Sequence, residues 1–366
     1  MKIKEVIKYL EFKYPKKLAV DKDPIGLHIG DVGRSLTKVL VTLDVTLEVV
    51  QEAIDLGANL IVAHHPFIYR PLKAIDTQTA KGRIVEKCLK HDMVVYAMHT
   101  NYDIAPNGMS DAMAEALALT KTRPLVITAE EPYAKVAVFV PSTHAQDVRK
   151  AMGRGGVGQL GDYSHCTFSA PGTGCFMPLE GSQPYMGAAG ELETVEEVKI
   201  EGISRQQEVA AIMDAVRAVH PYEEIAYDIY PIQAPDSSPK YGLGRIGGSH
   251  EPLSIKEYIP FTKGALGVAN ARYSGSMDQV VKTVAVLGGS GSNYMGAAKA
   301  KGADLYITGD MGFHNAQDAM DMGLNVLDVG HYAEAMMKHH VGGQLQEQFP
   351  GMVEISKIST DPFVFV

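Results

Sequence analysis

Apolar residues fall into two spacings along this chain. Short unbroken runs, such as Leu60-Ile61-Val62-Ala63, sit between turn residues and predict strands buried on both faces, as in parallel sheets. Longer stretches with helical periodicity lie between them and stop at glycine, which closes a helix in the left-handed conformation. The first residues, MKIKEVIKYLEFKYP, intersperse charge with Ile3, Val6, Ile7 and Leu10. They predict an amphipathic helix and not a signal peptide.

The pattern occurs twice. KVLVTLDVTLEVVQEAIDLGANLIVAHH (Lys38 to His65) aligns without a gap with TVAVLGGSGSNYMGAAKAKGADLYITGD (Thr283 to Asp310) at an offset of 245, matching Gly57 with Gly302. Each reads as strand, turn, glycine-ended helix and strand. Downstream, MVVYAMHTNYD parallels NVLDVGHYAEA, with His99 matching His331 at an offset of 232. The outer parts of the chain therefore read as two versions of one α/β unit with mainly parallel sheets.

The middle differs. AKVAVFVP, SHCTFSA, TGCFMP, VEEVKIEG and YEEIAYDIYPI read as strands. THAQDVRKAMGR reads as a helix, as does SRQQEVAAIMDAVRAVH, with Ser204 as its N-cap. This order predicts a ferredoxin-like α+β domain. The expected fold class is thus α/β: two pseudo-repeated α/β lobes forming one metal-binding unit, interrupted by a ferredoxin-like α+β inserted domain. The expected boundaries are residues 1–130, 131–232 and 233–366, with QAPDSSPK (Gln233 to Lys240) as a linker back.

Composition narrows the function. With 366 residues, 46% of them hydrophobic, the chain can bury more than one core. A net charge of -9 argues against nucleic-acid and anionic-membrane partners. Three cysteines without CxxC spacing argue against a disulfide framework and against a thiolate zinc knuckle, and for a reducing compartment. No run is long and apolar enough for a membrane helix. A cytoplasmic location is expected.

The candidate chemistry gathers at strand ends. His64 and His65 follow LIVA directly and precede Pro66, which favours an extended backbone at His65. Neighbouring side chains inside a strand face opposite ways. Just beyond the strand's carboxyl end, where α/β sheets bind ligands, both histidines can serve one site. Adjacent imidazoles suit two ions, one each, better than one. The other buried strands end in His99 and Asp103, in Asp310 and His314, and in His331 and Glu334, the last pair sharing one face of a helix's first turn. Histidine and carboxylate without thiolate suit zinc, iron(II), manganese, cobalt or nickel. Asp103 could bridge two ions. His339 and His340 are expected to be solvated, and His144 and His220 to be cap or surface residues.

Taken in order, AHHPFIYR, HTNYD, YGLGRIG, TGD…H and DVGHYAE resemble the dinuclear-metal-centre family known as GTP cyclohydrolase 1 type 2 homologues, the Nif-three-like proteins. DPIGLHIGD also resembles that family's D-N-x-G-L-Q-V-G motif, departing from it at Pro24-Ile25 and at His28. The resemblance spans the whole chain, including the insertion that long bacterial members carry. It implies two divalent transition-metal ions per subunit (zinc, iron or manganese) on His64, His65, Asp103, His331 and Glu334. It also implies a toroidal homohexamer, with the inserted domain similar to PII-like and CutA-like trimerising domains.

The leading expectation is a metal-dependent hydrolase acting on a nucleotide-like or cyclic amide small molecule. Asp310, His314 and His99 would serve as acid or base, or orient the ligand imidazoles. YGLGRIGG, with Arg245, could hold a phosphate, or its glycines could only mark close packing. The alternative is a non-catalytic metal-handling or regulatory hexamer.

Overall fold

The protein is described from a computed structural model covering residues 1–235 and 238–366; Asp236 and Ser237 of the expected linker lie outside the described residues. Along the chain the strands are β1 (Gly26–Ile29), β2 (Val39–Thr42), β3 (Leu60–Ala63), β4 (Val94–Ala97), β5 (Thr120–Glu130), β6 (Tyr133–Pro141), β7 (Phe168–Phe176), β8 (Glu193–Arg205), β9 (Tyr227–Ile232), β10 (Lys240–Ser254), β11 (Arg272–Ser274), β12 (Val280–Ser290), β13 (Leu305–Gly309), β14 (Asn325–Asp328) and β15 (Val353–Ile355). Together with the intervening helices they make a mixed α/β protein. Two compact units emerge, one from Met1–Ala129 with Tyr241–Val366, the other from Glu130–Lys240.

The first unit holds two sheets, ordered β1-β4-β3-β2-β15 and β11-β14-β13-β12-β10-β5. In one, β2, β3 and β4 run parallel and β1 antiparallel. In the other, β12, β13 and β14 run parallel and β11 antiparallel. The outer edges differ: β15 joins β2 in parallel, whereas β10 joins β12 antiparallel. Every residue of β2, β3, β4 and β14 is buried, which is why β3 and β4 read as unbroken apolar runs, while β2 ends in a buried Thr42 and β14 is bounded by the buried polar residues Asn325 and Asp328.

One core takes Val39, Val41, Leu60 and Val62 from the first sheet and Val284, Val286, Leu305 and Ile307 from the second. The N-terminal helix Ile3–Lys13 adds Ile3, Val6, Ile7 and Leu10 to it, the face its periodicity predicts. The other side of the first sheet (Leu40, Ile61 and Val95) packs on the helices Leu47–Asp55 and Ala80–Lys90. Each fully buried aliphatic side chain here contributes roughly 1.5–3 kcal/mol. The result is a rigid base beneath the loops that leave the strands' carboxyl ends.

The second unit is an antiparallel sheet ordered β7-β8-β6-β9. Helices Ala145–Arg154 and Val209–Arg217 cover it, burying Val148, Met152, Ile212 and Val216 against Val136, Val138 and Ile200. Three details depart from the sequence reading. SHCTFSA and TGCFMP contribute to one strand, β7, because the intervening Pro171 and Gly172 stay paired with Val198 and Glu197. Ser204 is not a helix cap: its pairing with Ala134 keeps it inside β8, and the helix begins at Val209. His220 is buried rather than superficial, with Nε2 donating to Phe139 O at 3.0 Å and Nδ1 accepting from Tyr222 N at 3.1 Å.

Candidate metal centre

The turn after β2 sets the two adjacent histidines. The N–H of His65 donates to Leu43 O at 3.0 Å, and that of Met98, after β4, donates to Ala63 O at 2.9 Å. This backbone fixes four imidazoles in one manner. His64 Nδ1 donates to Met98 O at 2.9 Å, and His65 Nδ1 to Asp44 Oδ1 at 2.6 Å. His99 Nδ1 donates to Asp23 Oδ1 at 2.8 Å, and His331 Nδ1 to Asp310 Oδ2 at 2.6 Å. Each acceptor is an oxygen, so each Nδ1 carries the proton and Nε2 is left for the centre. Outer hydrogen bonds of this kind set the tautomer and orientation of metal-ligating histidines.

Glu334 lies on the 3-10 turn His331–Met336, where residues three apart eclipse. Its buried Oε2 is 3.2 Å from His65 Nε2, 3.3 Å from His331 Nε2 and 3.6 Å from His64 Nε2. Asp103 Oδ1 is 3.6 Å from His64 Nε2 on the other side. Two sets of donors therefore converge within metal-binding distance, His64 with His65 and Glu334, and His64 with His99 and Asp103. Within the first set's surroundings, His331 Nε2 comes to 3.2 Å from His65 Nε2.

Electrostatics test whether these residues suit a cation. Buried polar atoms nearly always find a partner. Here His64 Nε2 and Asp103 Oδ1 are buried and have none. Burial opposes charge on His65, yet the carboxylates of Asp44 and Glu334 raise its imidazole to about 10. Hydrogen bonding to Glu334, against burial, raises His331 to about 9. Burial, opposed by His64 and reinforced by Glu334, lifts Asp103 to about 6. Glu334 resists its own burial and stays well below the carboxylate range because His64, His331 and His65 surround it. The cluster draws in positive charge, and its donor set fits divalent ions.

The structure brings His64, His65, His99, Asp103, His331 and Glu334 together, with Asp310 behind His331. It does not bring His314, which is exposed on the helix Phe313–Asp321 with Nδ1 at 3.2 Å from Gln317 Oε1. His340 is half-buried rather than solvated: its Nδ1 is hydrogen-bonded with Tyr102 Oη at 2.7 Å and its Nε2 faces Gln344 Nε2 at 3.3 Å. Arg245 is committed elsewhere, pairing with Asp111 through Nε and Nη2 and donating from Nη1 to the carbonyls of Gly242 and Gly244. Gly242 answers to packing, since a Cβ there would lie 1.9 Å from Val126 O. Sequence reasoning gave no role to Asp23, although it opens the DPIGLHIGD stretch, nor to Asp44, which no spacing rule singles out.

The cluster opens into a cavity of about 700 Å³ whose wall includes Leu243, Leu287, Tyr294 and the segment Gly288-Gly289-Ser290. These two glycines are tied to the site. A Cβ at Gly288 or Gly289 would stand 2.8 or 2.9 Å from Glu334 Oε1, and Gly289 has φ +62. Gly289→Ala should cost about 1–2 kcal/mol of stability through its left-handed backbone. By displacing Glu334 it should also weaken zinc binding at least tenfold, the lower bound for outer-partner losses. Thermal melts and competitive zinc titration check this. Gly343→Ala, with open space around its Cβ, should match wild type in zinc affinity.

Comparison with known proteins bears on this arrangement. The family profile described as Duf34/NIF3 (NGG1p interacting factor 3) matches residues 1–362. A Bacillus subtilis protein named GTP cyclohydrolase 1 type 2 homolog is 46% identical over 367 residues, covering 99% of this chain and 98% of the relative. Among solved structures, a Bacillus cereus protein related to NIF3 is similar at a TM-score of 0.89 and 48% identity, covering 100% of this chain and 99% of that one. The Staphylococcus aureus protein SA1388 is similar at a TM-score of 0.81 and 30% identity, with the same coverage.

Proposed function

The chain belongs to the Duf34/NIF3 (NGG1p interacting factor 3) family, and from that premise we propose that it is a dinuclear metal protein serving a hydrolytic reaction. Two divalent ions (zinc, iron or manganese) would be held by His64, His65, Asp103, His331 and Glu334. The observation that carries this reading is the pair of buried, partnerless donor atoms, His64 Nε2 and Asp103 Oδ1, facing histidines whose other nitrogens are already bound. When bound, such ions supply Lewis acidity, bringing the pKa of water toward about 7 and polarising carbonyl or phosphoryl oxygen. The protein's own residues do the rest. Asp44 and Asp310 orient His65 and His331, and Asp23 fixes the Nδ1 proton of His99. His99 then either joins the ligand set or moves a proton at Nε2.

The name carried by the relatives, GTP cyclohydrolase 1 type 2 homolog, supports a nucleotide-like or cyclic amide substrate. A second reading, a non-catalytic metal-handling or regulatory assembly, has its own observation. Among the described residues Lys22 is the one lysine or arginine lining the cavity, and Arg245 is spent on Asp111, so a triphosphate finds little cationic help. We further read residues 1–130 and 233–366 as pseudo-repeated lobes, supported by the matching orders β1-β4-β3-β2 and β11-β14-β13-β12. Residues 131–232 we read as a ferredoxin-like domain, supported by the βαββαβ order of their elements. A cytoplasmic homohexamer completes the proposal. No helix is long and apolar enough to cross a membrane among the described residues.

The deciding experiment is metal analysis of wild type and His65→Ala, with turnover screened over GTP, other nucleotides, cyclic amides and phosphoesters. Two ions per chain with activity lost in the variant is the expected result. Stoichiometric metal with no turnover on any class selects the metal-handling reading. A wild-type protein that takes up no zinc, iron(II) or manganese overturns both.

A further inference from the structure

The segment after β15 touches the centre from behind. It is pinned along its length: Lys338 Nζ donates to Ser356 O at 3.1 Å, Ser356 Oγ donates to Glu52 Oε2 at 2.5 Å, and Lys357 N–H donates to Glu52 Oε1 at 2.8 Å. Lys338 is itself buried, so this anchorage is internal. The pinning delivers Thr360 to a particular place. Its Oγ1 donates to Asp44 Oδ2 at 2.5 Å, while the other oxygen of the same carboxylate takes the Nδ1 proton of His65. Its N–H reaches Tyr332 Oη, on the residue that follows His331, at 3.4 Å.

We infer that Thr360 is a positioning residue for the metal centre: its hydroxyl locks the Asp44 carboxylate in the plane that holds His65 with Nε2 turned to Glu334. The inference rests on the metal-binding reading for its ligand and on this hydrogen-bonded chain for its residue. A carboxylate with one oxygen bonded can still swing about its Cβ–Cγ bond. Bonding both oxygens removes that freedom, and with it the freedom of the imidazole. His99 has the same arrangement with the hydroxyl supplied by its own sequence neighbour, since Asp23 Oδ1 takes its proton while Thr100 donates to Oδ2 through N–H and Oγ1 at 3.0 and 2.5 Å. For His65 the equivalent hydroxyl comes from a residue 316 positions after Asp44. The centre is thus completed by a segment outside every motif that marks it in the sequence.

The test uses the full chain with Thr360→Val, which keeps shape and loses the hydroxyl, and Thr360→Ser, which keeps the hydroxyl. Zinc affinity is read by competition with a chromophoric chelator. The Nδ1–H of His65 is read separately in the metal-free protein by imidazole 15N NMR, assigned with His65→Ala. Thr360→Val should bind zinc about tenfold more weakly, the low end for outer partners of a ligating histidine, and should lose or broaden the His65 Nδ1–H signal. Thr360→Ser should restore both. In an Asp44→Asn background the valine change should add little, because the two act through one path. Equal zinc affinity and an unchanged signal in Thr360→Val overturn the inference, as does a full valine effect that persists in Asp44→Asn. If wild type binds no zinc, iron(II) or manganese, the metal reading fails while the NMR comparison still decides the role of Thr360.

Discussion

Glu334→Gln should lower zinc affinity by at least about 100-fold, beyond the usual cost of losing an outer partner. Glutamine keeps the size of the side chain, so the fit against Gly288 and Gly289 survives. What disappears is the one negative charge whose oxygen lies 3.2–3.6 Å from Nε2 of His65, His331 and His64. Three imidazoles would then face a neutral amide that can bind a divalent ion only weakly through oxygen and can present an N–H instead. Competitive titration and metal analysis of the purified variant are the measurements. Wild-type affinity in this variant would remove Glu334 from the ligand set.

Metal binding should be steeply dependent on pH, with affinity rising as pH rises. The sign follows from the metal-free cluster. His65 stands at about 10 and His331 at about 9, raised by Asp44 and Glu334 in the first case and by Glu334 and Asp310 in the second. Below about pH 9 both imidazoles are therefore protonated, and an ion that takes their Nε2 atoms must expel those protons. The slope should lie between about one and two decades of affinity per pH unit, so two pH units are worth roughly 10²–10⁴. Above about pH 10 the dependence should flatten. Below about pH 6 the proton on Asp103 should steepen it again. Calorimetry at pH 7 in two buffers of different ionisation enthalpy counts the protons released, and a count near zero would contradict the assigned ligands.

Much of the architecture was legible in the residues because the parallel strands are buried on both faces. LIVA and VVYA are apolar throughout and too short for a buried helix, NVLD aligns with MVVY in the repeat, and the carboxyl ends of such strands mark where ligands gather. His64, His65, His99, Asp103, His331 and Glu334 all follow such ends, and all meet. His314 follows one too, but its helix turns it outward, and neighbouring positions on a helix face different ways. Of the oxygens behind the histidines, that of Asp310 was legible, because it too follows a buried strand; the others were not. Asp44 sits just past β2, aligned with Gly289 at the 245 offset, so its position was suggestive while its partner was hidden. Asp23 and Thr360 lie on loops, where no periodicity reports direction. Arg245 misled for a related reason: sequence shows a cation among glycines, but not the Asp111 carboxylate that already holds it. Ser204 misled because a strand paired along its length outlasted a good capping residue.

The chain departs on β5 and comes back on β10, neighbours in one sheet, and Glu131 N–H still donates to Pro239 O at 3.3 Å beyond them. Topologically the excursion between these crossings is a hairpin loop that happens to contain a folded body. Loop closure grows only logarithmically with length, about 0.6 kcal/mol per doubling. A short turn could therefore bridge the same two strands with little penalty, and other cargo could be spliced into the gap. In genetic terms this is a port, a place where a module can be gained, lost or exchanged in one step without rewriting a single strand partner.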